Sequence, residues 1–581
     1  MARRRSPRHQ VCCLLAAETP DAWKPGRRSA NYQPSSWDYD ALLSLDSGNR
    51  NQVYPCEYYK LKRSITDTLL KKAESASKLC TIDAMQRLGI SYHFEEEISD
   101  ILNSVSKERA KEQHADDDLA SAALKFRLLR ENGFPTTPGI SKNVAGPLSY
   151  HNYRKCSIKT AGQEDVNALL SLYEASNLAF PDEELLDVAR IFSAKALKEL
   201  MPSMPPHLSE GVAHALELPL HWRAPRLETR WFINHYSRDI NMCPLLLQFA
   251  KLDFNKVQDE HQQDLVTVTR WWRNIAFGKK LTFARDRLME CFHYANGIVW
   301  EPKHGPCCQM LTKVSSLIVH LDDVYDVYGT MDELVLLTEA IARWDASPSE
   351  ALPDYMKAVY YAIYNTTNEV ADHSLREHGC RMHHLLQKSW HDLCMAFMME
   401  AKWYHGKYRP RLQDYLENGR ISSSAPLLLL HAFPMLSSLV NMKTLDQIQT
   451  NPRLVHSASL ILRLCNDSAT HTDELKRGDA PSSIGIHMFE NGANEEDSRT
   501  AMQDLILEAW KTVNEEAFDD CQLSVPFKKA CINLARISYC IYQDGDGIGA
   551  PNRLKKKQIK ELFLEPIDEM NHHSMHIIFK R

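Results

Sequence analysis

Long apolar runs are missing from this 581-residue sequence. A membrane-spanning helix needs about 20 consecutive apolar residues, and the longest apolar stretch, Ala425–Leu436, is interrupted by two prolines and a histidine. Charge of one sign is missing as well, because 69 basic residues face 75 acidic ones and leave a net charge of -6. Such a balance creates no global field for nucleic acid or an anionic membrane. We therefore predict neither as a partner, and any site for an anionic ligand must be local.

Regularly spaced cysteine pairs and strand-like alternation are also lacking. The 15 cysteines are odd in number and include no C-x-x-C pair, so we predict reduced thiols in an intracellular compartment. Alternation of apolar and polar residues, which marks a half-buried strand, is not sustained at any length. Apolar residues instead recur at three- and four-residue spacing, as in Leu119–Arg130 and Asp182–Leu200. The sequence therefore predicts an all-α protein.

Three carboxylates stand inside an otherwise apolar helical stretch, Leu321–Gly329, which reads LDDVYDVYG. Residues four apart share a face of a helix, so Asp322 and Asp326 point the same way, whereas Asp323 lies about 100° round. Clustered carboxylates on a buried wall repel one another and need compensation. A hard cation such as Mg²⁺, which prefers oxygen ligands, is the usual compensation. The alternative is a helix end with solvated acids.

A second stretch of oxygen donors, LRLCNDSATHTDELKRGD, occupies Leu462–Asp479. Asn466, Thr470 and Glu474 follow at four-residue spacing, which drifts only about 40° per step round a helix. An amide oxygen, a hydroxyl and a carboxylate therefore share one stripe, with Arg463 one turn earlier on the same side. Alone, this pattern is also compatible with a polar helix face. Two stripes about 140 residues apart could together hold a metal–diphosphate cluster from opposite helices of a bundle.

The two motifs, DDVYD at Asp322–Asp326 and NDSATHTDE at Asn466–Glu474, resemble those of plant class I terpene synthases. The similarity extends over about residues 27–581. Its further matches are RR-x8-W at Arg27, Arg28 and Trp37, FRLLRENGF at Phe126–Phe134, LYEAS at Leu172–Ser176, PRLETRWFI at Pro225–Ile233, RDR at Arg285–Arg287 and YQDGDGIG at Tyr542–Gly549.

The resemblance implies two helical domains. Residues 27–235 would form an N-terminal, α-barrel-like domain, and residues 236–581 a class I terpenoid synthase helical bundle that carries catalysis. The N-terminal part lacks the DxDD acid motif of class II members, so we predict that it is structural. No Gly/Ser-rich linker marks the boundary, and we expect the domains to be packed together.

The resemblance also assigns a role to each motif and implies three Mg²⁺ ions, with Mn²⁺ as an alternative. The expected metal ligands are Asp322, Asp326, Asn466, Thr470 and Glu474. The expected diphosphate ligands are Arg285, Arg287, Arg463 and Asn466. The expected catalytic residues are Asp322, Asp323, Asp326, Arg285 and Tyr294, and the expected lid residues are Arg27, Arg28 and Trp37.

Two positions depart from the family pattern. Tyr294 stands where many relatives carry Trp, and Ser482 stands where many carry a diphosphate-contacting Lys. Two further segments are implied to shape the pocket. They are a kinked helix at Ile421–Leu430 and a closing loop at Tyr542–Gly549.

The implied function is that of a monoterpene synthase. The tandem arginine motif marks mainly enzymes that ionise geranyl diphosphate, recapture it as the linalyl isomer and cyclise the cation. The alternatives are a sesquiterpene synthase using farnesyl diphosphate, an acyclic alcohol synthase, an isoprenyl chain elongase and a non-catalytic helical binding protein. An elongase would carry a second Asp-rich motif where NDxxTxxxE stands. The oligomeric state is expected to be a monomer or a homodimer.

Residues 1–26 form a separate N-terminal extension. Four arginines precede its first acidic residue, Glu18, and Arg-rich, acid-poor N-termini are typical of organelle transit peptides. We therefore predict a plastid location, with the cytosol as the alternative if the extension is only a basic tail.

Overall fold

The computed structural model describes residues 27–28, 30–46, 55–71, 75–111, 118–136, 163–450, 453–477, 481–518 and 523–568. The predicted extension, residues 1–26, lies outside the described residues. Across the described ranges the chain is helical and contains no strand, as predicted. None of the helices within these ranges is both long enough and apolar enough to cross a membrane.

The first part of the chain consists of short and medium-length helices. They are α1 (Tyr39–Leu43), α2 (Pro55–Ile65), α3 (Ser75–Arg87), α4 (Glu95–Lys111), α5 (Leu119–Glu131), α6 (Gln163–Ser176), α7 (Glu184–Leu200), α8 (Pro206–Glu217) and α9 (Pro225–Tyr236). Local signals explain several of their ends. The carboxylate of Asp118 caps α5 by accepting from the backbone N–H of Ser121, and α8 and α9 begin with proline, whose fixed φ suits a first turn.

The second part contains the longer helices. They are α10 (Pro244–Ile275), α11 (Phe277–Lys280), α12 (Leu288–Ile298), α13 (Gly305–Asp323), α14 (Met331–Arg343), α15 (Asp354–His378), α16 (His383–Gly406), α17 (Leu412–Ser422), α18 (Ala425–Leu436), α19 (Met442–Thr450), α20 (Arg453–Arg477), α21 (Ser483–Asn491), α22 (Glu495–Phe518), α23 (Val525–Tyr542) and α24 (Arg553–Phe563). Several of them surround a cavity, described below.

One hydrophobic core runs through both parts of the chain. Ile82 of α3 and Phe249 of α10 belong to the same buried cluster as Leu317 of α13 and Trp510 of α22. Two smaller clusters pack α5, α6 and α7, and α6, α7 and α8, against one another. This continuity agrees with the expectation of packed domains, while the boundary at residues 235 and 236 stays a prediction.

Candidate active site

A cavity of about 740 Å³ opens among helices α12, α13, α16, α17, α18, α20 and α23. Its inner wall is mainly apolar and aromatic, whereas its mouth is lined by carboxylates, arginines and the segment near Arg28. The inner residues are Cys291, Tyr294, Ile318, Phe397, Leu428 and Leu462. Tyr294 is buried, and this burial raises the pKa of its hydroxyl, so the ring presents a neutral aromatic surface to the cavity.

The first wall of the mouth is the end of α13. This helix widens into a π-helical turn over Val324–Tyr328, a distortion that is frequent at functional sites. Asp322 and Asp326 both line the cavity, as their spacing predicts. Asp323 instead is fully buried behind the wall, where its Oδ2 accepts from the backbone N–H of Arg285 at 2.7 Å.

Arg285 contacts two of these carboxylates, those of Asp322 and Asp323. Its Nε lies 2.8 Å from Oδ1 of Asp323, and its Nη2 forms an ion pair with Asp322. The guanidinium also lies 4.9 Å from the centre of the Tyr32 ring. Burial, followed by the charge of Asp323, opposes ionisation of Asp322 and raises its pKa in spite of Arg285. Burial within the cavity and the neighbouring Asp322 charge raise the pKa of Asp326 strongly.

The second wall of the mouth is α20. Asn466, Thr470 and Glu474 line the cavity in one stripe, and Thr470 donates its hydroxyl to the carbonyl of Asn466 at 3.0 Å. Burial and, secondarily, the charge of Asp467 raise the pKa of Glu474 to about 7. The carboxyl group of this wall therefore keeps its proton up to about pH 7. A cation that binds to the carboxylate displaces this proton.

Arg463 occupies the base of this second wall. It donates to Oγ of Ser422 at 2.7 Å and to Oε1 of Glu400 at 3.4 Å. Its Nη1 lies 3.6 Å from Oδ1 of Asp467, which in turn accepts from the hydroxyl of Tyr415 at 3.0 Å. The guanidinium is thus fixed at the cavity surface by two carboxylates.

The tandem arginines take different positions at the mouth. Arg28 lines the cavity, donates to the carbonyl of Asp326 at 3.0 Å and stacks on the Tyr404 ring at 4.4 Å. Arg27 points away and donates to Oε1 of Glu333 at 2.6 Å and to the carbonyl of Tyr328 at 3.0 Å.

The predicted lid segment, which runs from Arg27 to Trp37, is anchored on both sides of the residues that enter the cavity. Although burial opposes it, the Arg27 hydrogen bond lowers the pKa of Glu333 to about 2. Trp37 donates its indole N–H to Oε1 of Glu290 at 2.9 Å. Only Arg28, of the three predicted lid residues, reaches the cavity.

Arg287 does not line the cavity, and its contact with diphosphate stays a prediction. Its buried guanidinium donates to the carbonyl of Gln33 at 3.0 Å and to that of Gly549 at 3.0 Å. Arg285 lies in the loop before α12, whereas Arg287 occupies the N-cap position of that helix and directs its guanidinium to the two carbonyls. Arg287 therefore joins the N-terminal segment to the loop after α23.

The kink and the loop that the resemblance implied both border the cavity. The chain breaks between α17 and α18 at Ser424, whose φ of 66° is in the left-handed region, and Ser422–Ser424 line the cavity. Tyr542, Asp546 and Gly549 of the loop line it as well. Ser482 does not; its hydroxyl lies 2.7 Å from Nδ1 of His471.

Sequence reasoning missed several cavity residues. Glu400 is a single acid within an apolar helical stretch, and that isolation is the signal that could have identified it. Asp467 stands within the second motif but turns toward Arg463. Tyr32 and Ser315 also line the cavity, and no periodic pattern marks either of them.

The donor set is consistent with a hard divalent cation. The predicted ligands supply three carboxylates, one amide oxygen and one hydroxyl, all facing one cavity. Oxygen donors of this kind suit Mg²⁺ or Mn²⁺ and not the metals that prefer thiolate. The residues present therefore fit the metal that the motifs imply.

Known proteins show the same architecture. The profile described as "Terpene synthase, N-terminal domain" matches residues 36–216, and "Terpene synthase family, metal binding domain" matches residues 273–512. A (-)-alpha-terpineol synthase of Vitis vinifera is 43% identical over 547 residues, covering 94% of this chain and 92% of the relative. A chloroplastic myrcene synthase of Quercus ilex is 42% identical over 559 residues, covering 96% of this chain and 92% of the relative.

Two solved structures of terpene synthases are also similar to this chain. A limonene synthase with 2-fluorolinalyl diphosphate has a TM-score of 0.84 and 33% identity, over 93% of this chain and 100% of that one. Isoprene synthase from grey poplar (Populus x canescens), in complex with three Mg²⁺ ions and dimethylallyl-S-thiolodiphosphate, has a TM-score of 0.81 and 38% identity, over 92% of this chain and 99% of that one. This chain belongs to the terpene synthase family and has its two-domain all-α fold. It is an enzyme that acts on a prenyl diphosphate with a divalent metal cofactor.

Proposed function

We propose that this enzyme is a Mg²⁺-dependent monoterpene synthase that ionises geranyl diphosphate and cyclises the resulting cation. The observation that carries the proposal is the division of the cavity. Oxygen donors and two partly buried arginines lie at its mouth, and apolar and aromatic side chains line its interior. A diphosphate suits the first environment and a hydrocarbon cation suits the second, from which water must be excluded.

The metal ions, when bound, supply positive charge that stabilises the departing diphosphate. In our proposal Asp322 and Asp326 hold them from the first wall, and Asn466, Thr470 and Glu474 hold them from the second. Arg285 and Arg463 add two fixed positive charges to the diphosphate, and preorganised charge of this kind is often the largest catalytic contribution.

Other cavity residues have positioning or shielding roles in this proposal. Asp323 orients Arg285 from behind, and Arg287 secures the lid. Tyr294 offers an aromatic face to the cation, an interaction that is worth about 2 kcal/mol when desolvated.

We further propose that the reaction passes through a linalyl intermediate. The supporting observations are the placement of Arg28 at the mouth and the similarity to a limonene synthase whose structure contains 2-fluorolinalyl diphosphate. The similarity to a myrcene synthase supports an acyclic product instead, because myrcene has no ring. Product analysis distinguishes the two.

The proposed location is the plastid, since several relatives are named chloroplastic. The proposed domains remain residues 27–235 and 236–581, and the oligomeric state is proposed to be a monomer or a homodimer. Fusion of residues 1–26 to a fluorescent protein tests the location. Uniform cytosolic fluorescence would favour the cytosolic alternative.

The central test offers geranyl and farnesyl diphosphate in competition to purified enzyme with Mg²⁺. We expect mainly cyclic monoterpenoids, and no turnover after chelation until Mg²⁺ is restored. Exclusive formation of sesquiterpenes would overturn the substrate assignment, and mainly acyclic products would overturn the cyclase assignment. Turnover that survives chelation would overturn the role of the metal.

A further inference from the structure

Two histidines and a glutamate meet on helices α8 and α9, far from the proposed chemistry. His207 and Glu210 lie one turn apart at the start of α8, and His235 lies in the last turn of α9. One potential ligand atom from each residue lies within 4.8 Å of the other two. None of the three residues lines the cavity that holds the two metal-binding motifs. The cluster is therefore independent of the active site.

Both histidines carry a buried nitrogen without a hydrogen-bond partner. Nδ1 of His207 and Nδ1 of His235 are each shielded from solvent and find no donor or acceptor within the described residues. Oε2 of Glu210 lies 3.7 Å from Nδ1 of His235, too far for a hydrogen bond. Buried polar atoms are almost always satisfied in native proteins, and a bound ion is one accepted explanation for an exception.

The surroundings hold His235 in place. Its ring lies between those of His207, at 4.0 Å, and Trp231, at 4.6 Å, and both contacts are nearly parallel. Gly211 packs beside it, and a Cβ at that position would lie 3.4 Å from Nε2 of His235. Burial, and secondarily the nearby His207, lower the pKa of His235 to about 4. The ring is thus neutral near pH 7, which is the form that binds a metal.

We propose that His207, Glu210 and His235 form a second metal site, which binds one Zn²⁺-type transition-metal ion and clamps α8 to α9. Two imidazole nitrogens and a carboxylate favour such a metal over Mg²⁺, which prefers oxygen ligands alone. Three protein ligands leave a fourth position for water.

Binding requires two local adjustments, one in a histidine ring and one in the Glu210 carboxylate. Parallel rings do not aim their nitrogens at a common point, so one ring must turn about its Cβ–Cγ bond. His207 is at the free end of the stack, whereas His235 is packed on both sides. Nη2 of Arg238 lies 2.9 Å from both carboxylate oxygens of Glu210, so one oxygen must leave Arg238 to bind the metal while the other stays with it.

The test uses Co²⁺ as a spectroscopic substitute for Zn²⁺ on the full-length, chelator-treated enzyme. Excess Mg²⁺ is present throughout, so that the oxygen-lined active site is already occupied. We expect one Co²⁺ per chain with the visible absorption of a four-coordinate site. His207→Ala, His235→Ala and Glu210→Gln should each weaken this binding at least tenfold. Zn²⁺ should displace Co²⁺ and raise the melting temperature of the parent enzyme but not of these variants.

His214→Gln is the matched control. His214 lies on the same helix and stacks on Trp231 at 3.6 Å, but it contacts Glu228 and lies outside the cluster. This variant should bind Co²⁺ as the parent does, and turnover of each variant with geranyl diphosphate verifies that it is folded. Co²⁺ binding that is unchanged in both His207→Ala and His235→Ala would overturn the proposal. Absence of binding to the parent, or a thiolate charge-transfer band that indicates cysteine ligands, would overturn it as well.

Discussion

The two walls of the cavity mouth have similar structures, but the charges of their carboxylates are compensated differently. Each has a helix with oxygen donors, and each has an arginine fixed from behind by a buried carboxylate. Asp323 holds Arg285 on the first wall, and Asp467 holds Arg463 on the second. A tyrosine ring lies near each guanidinium, at 4.9 Å and 5.9 Å respectively.

The difference lies in what the arginine contacts. Arg285 forms an ion pair with Asp322, which is itself a predicted metal ligand. Arg463 instead forms ion pairs with Glu400 and Asp467, neither of which is a predicted metal ligand. A metal at the first wall must therefore replace an existing partner of Asp322, whereas at the second wall it competes with the proton on Glu474.

The largest expected effect comes from removing one ligand on each wall. Asp322→Asn and Glu474→Gln should each reduce turnover at least about a hundredfold, a loss typical of removing a group that stabilises transition-state charge. Steady-state kinetics with geranyl diphosphate and circular dichroism measure this at unchanged helicity. Near-normal turnover in either folded variant would remove that wall from the metal site.

A smaller effect is expected from the carboxylates behind the arginines. Asp323→Asn and Asp467→Asn remove no predicted metal ligand, but each leaves a partly buried arginine with less compensation. Turnover should fall about 10- to 100-fold, as for other residues that orient ligands from behind. The loss should be greater for Asp323→Asn, because the carboxylate left to Arg285 is Asp322, itself a predicted metal ligand, whereas Arg463 retains Glu400. Equal losses would mean that Glu400 does not substitute for Asp467.

The predicted lid contacts the first wall through Arg28, which donates to the Asp326 carbonyl, and through Arg27, which donates to the Tyr328 carbonyl. Arg28→Ala should lower turnover of geranyl diphosphate about tenfold, which corresponds to one charge-assisted hydrogen bond. Turnover of supplied linalyl diphosphate should fall less, because that substrate requires no isomerisation. Equal losses on both substrates would contradict a role in isomerisation.

The sequence predicted the regular features well, because they depend on local periodicity. The all-α fold is confirmed, and α5 and α7 occupy the stretches whose spacing predicted them. Four-residue spacing also predicted that Asp322 and Asp326, and separately Asn466, Thr470 and Glu474, share a face. That these five residues bind metal stays a prediction.

Features that depend on long-range contacts could not be predicted. Tyr32 reaches the cavity only because the lid segment crosses the mouth, held by Arg27 at Glu333 and by Trp37 at Glu290. Asp323 and Arg287 belong to recognised motifs, yet the chain direction at the helix ends turns both away from the cavity. A motif identifies which residues act together but not which of them faces the ligand.

The smallest expected effect is on the free energy of unfolding, and it distinguishes the two walls most clearly. The pKa of Glu474 rises from an ordinary 4.5 to about 7 in the metal-free fold, so the native state retains a proton there that the unfolded state loses. Stability therefore decreases as pH rises from about 4.5 through 7. Glu474→Gln removes this cost and should stabilise the metal-free enzyme by about 3 kcal/mol at pH 8, with little gain near pH 4.5.

The matched substitution on the first wall is Asp322→Asn. It should give a smaller gain at pH 8, because it also deprives Arg285 of an ion-pair partner. Denaturant unfolding of the chelated proteins at both pH values measures the difference. An equal gain in the two variants would show that Arg285 does not compensate Asp322, and the contrast between the walls would then be one of geometry alone.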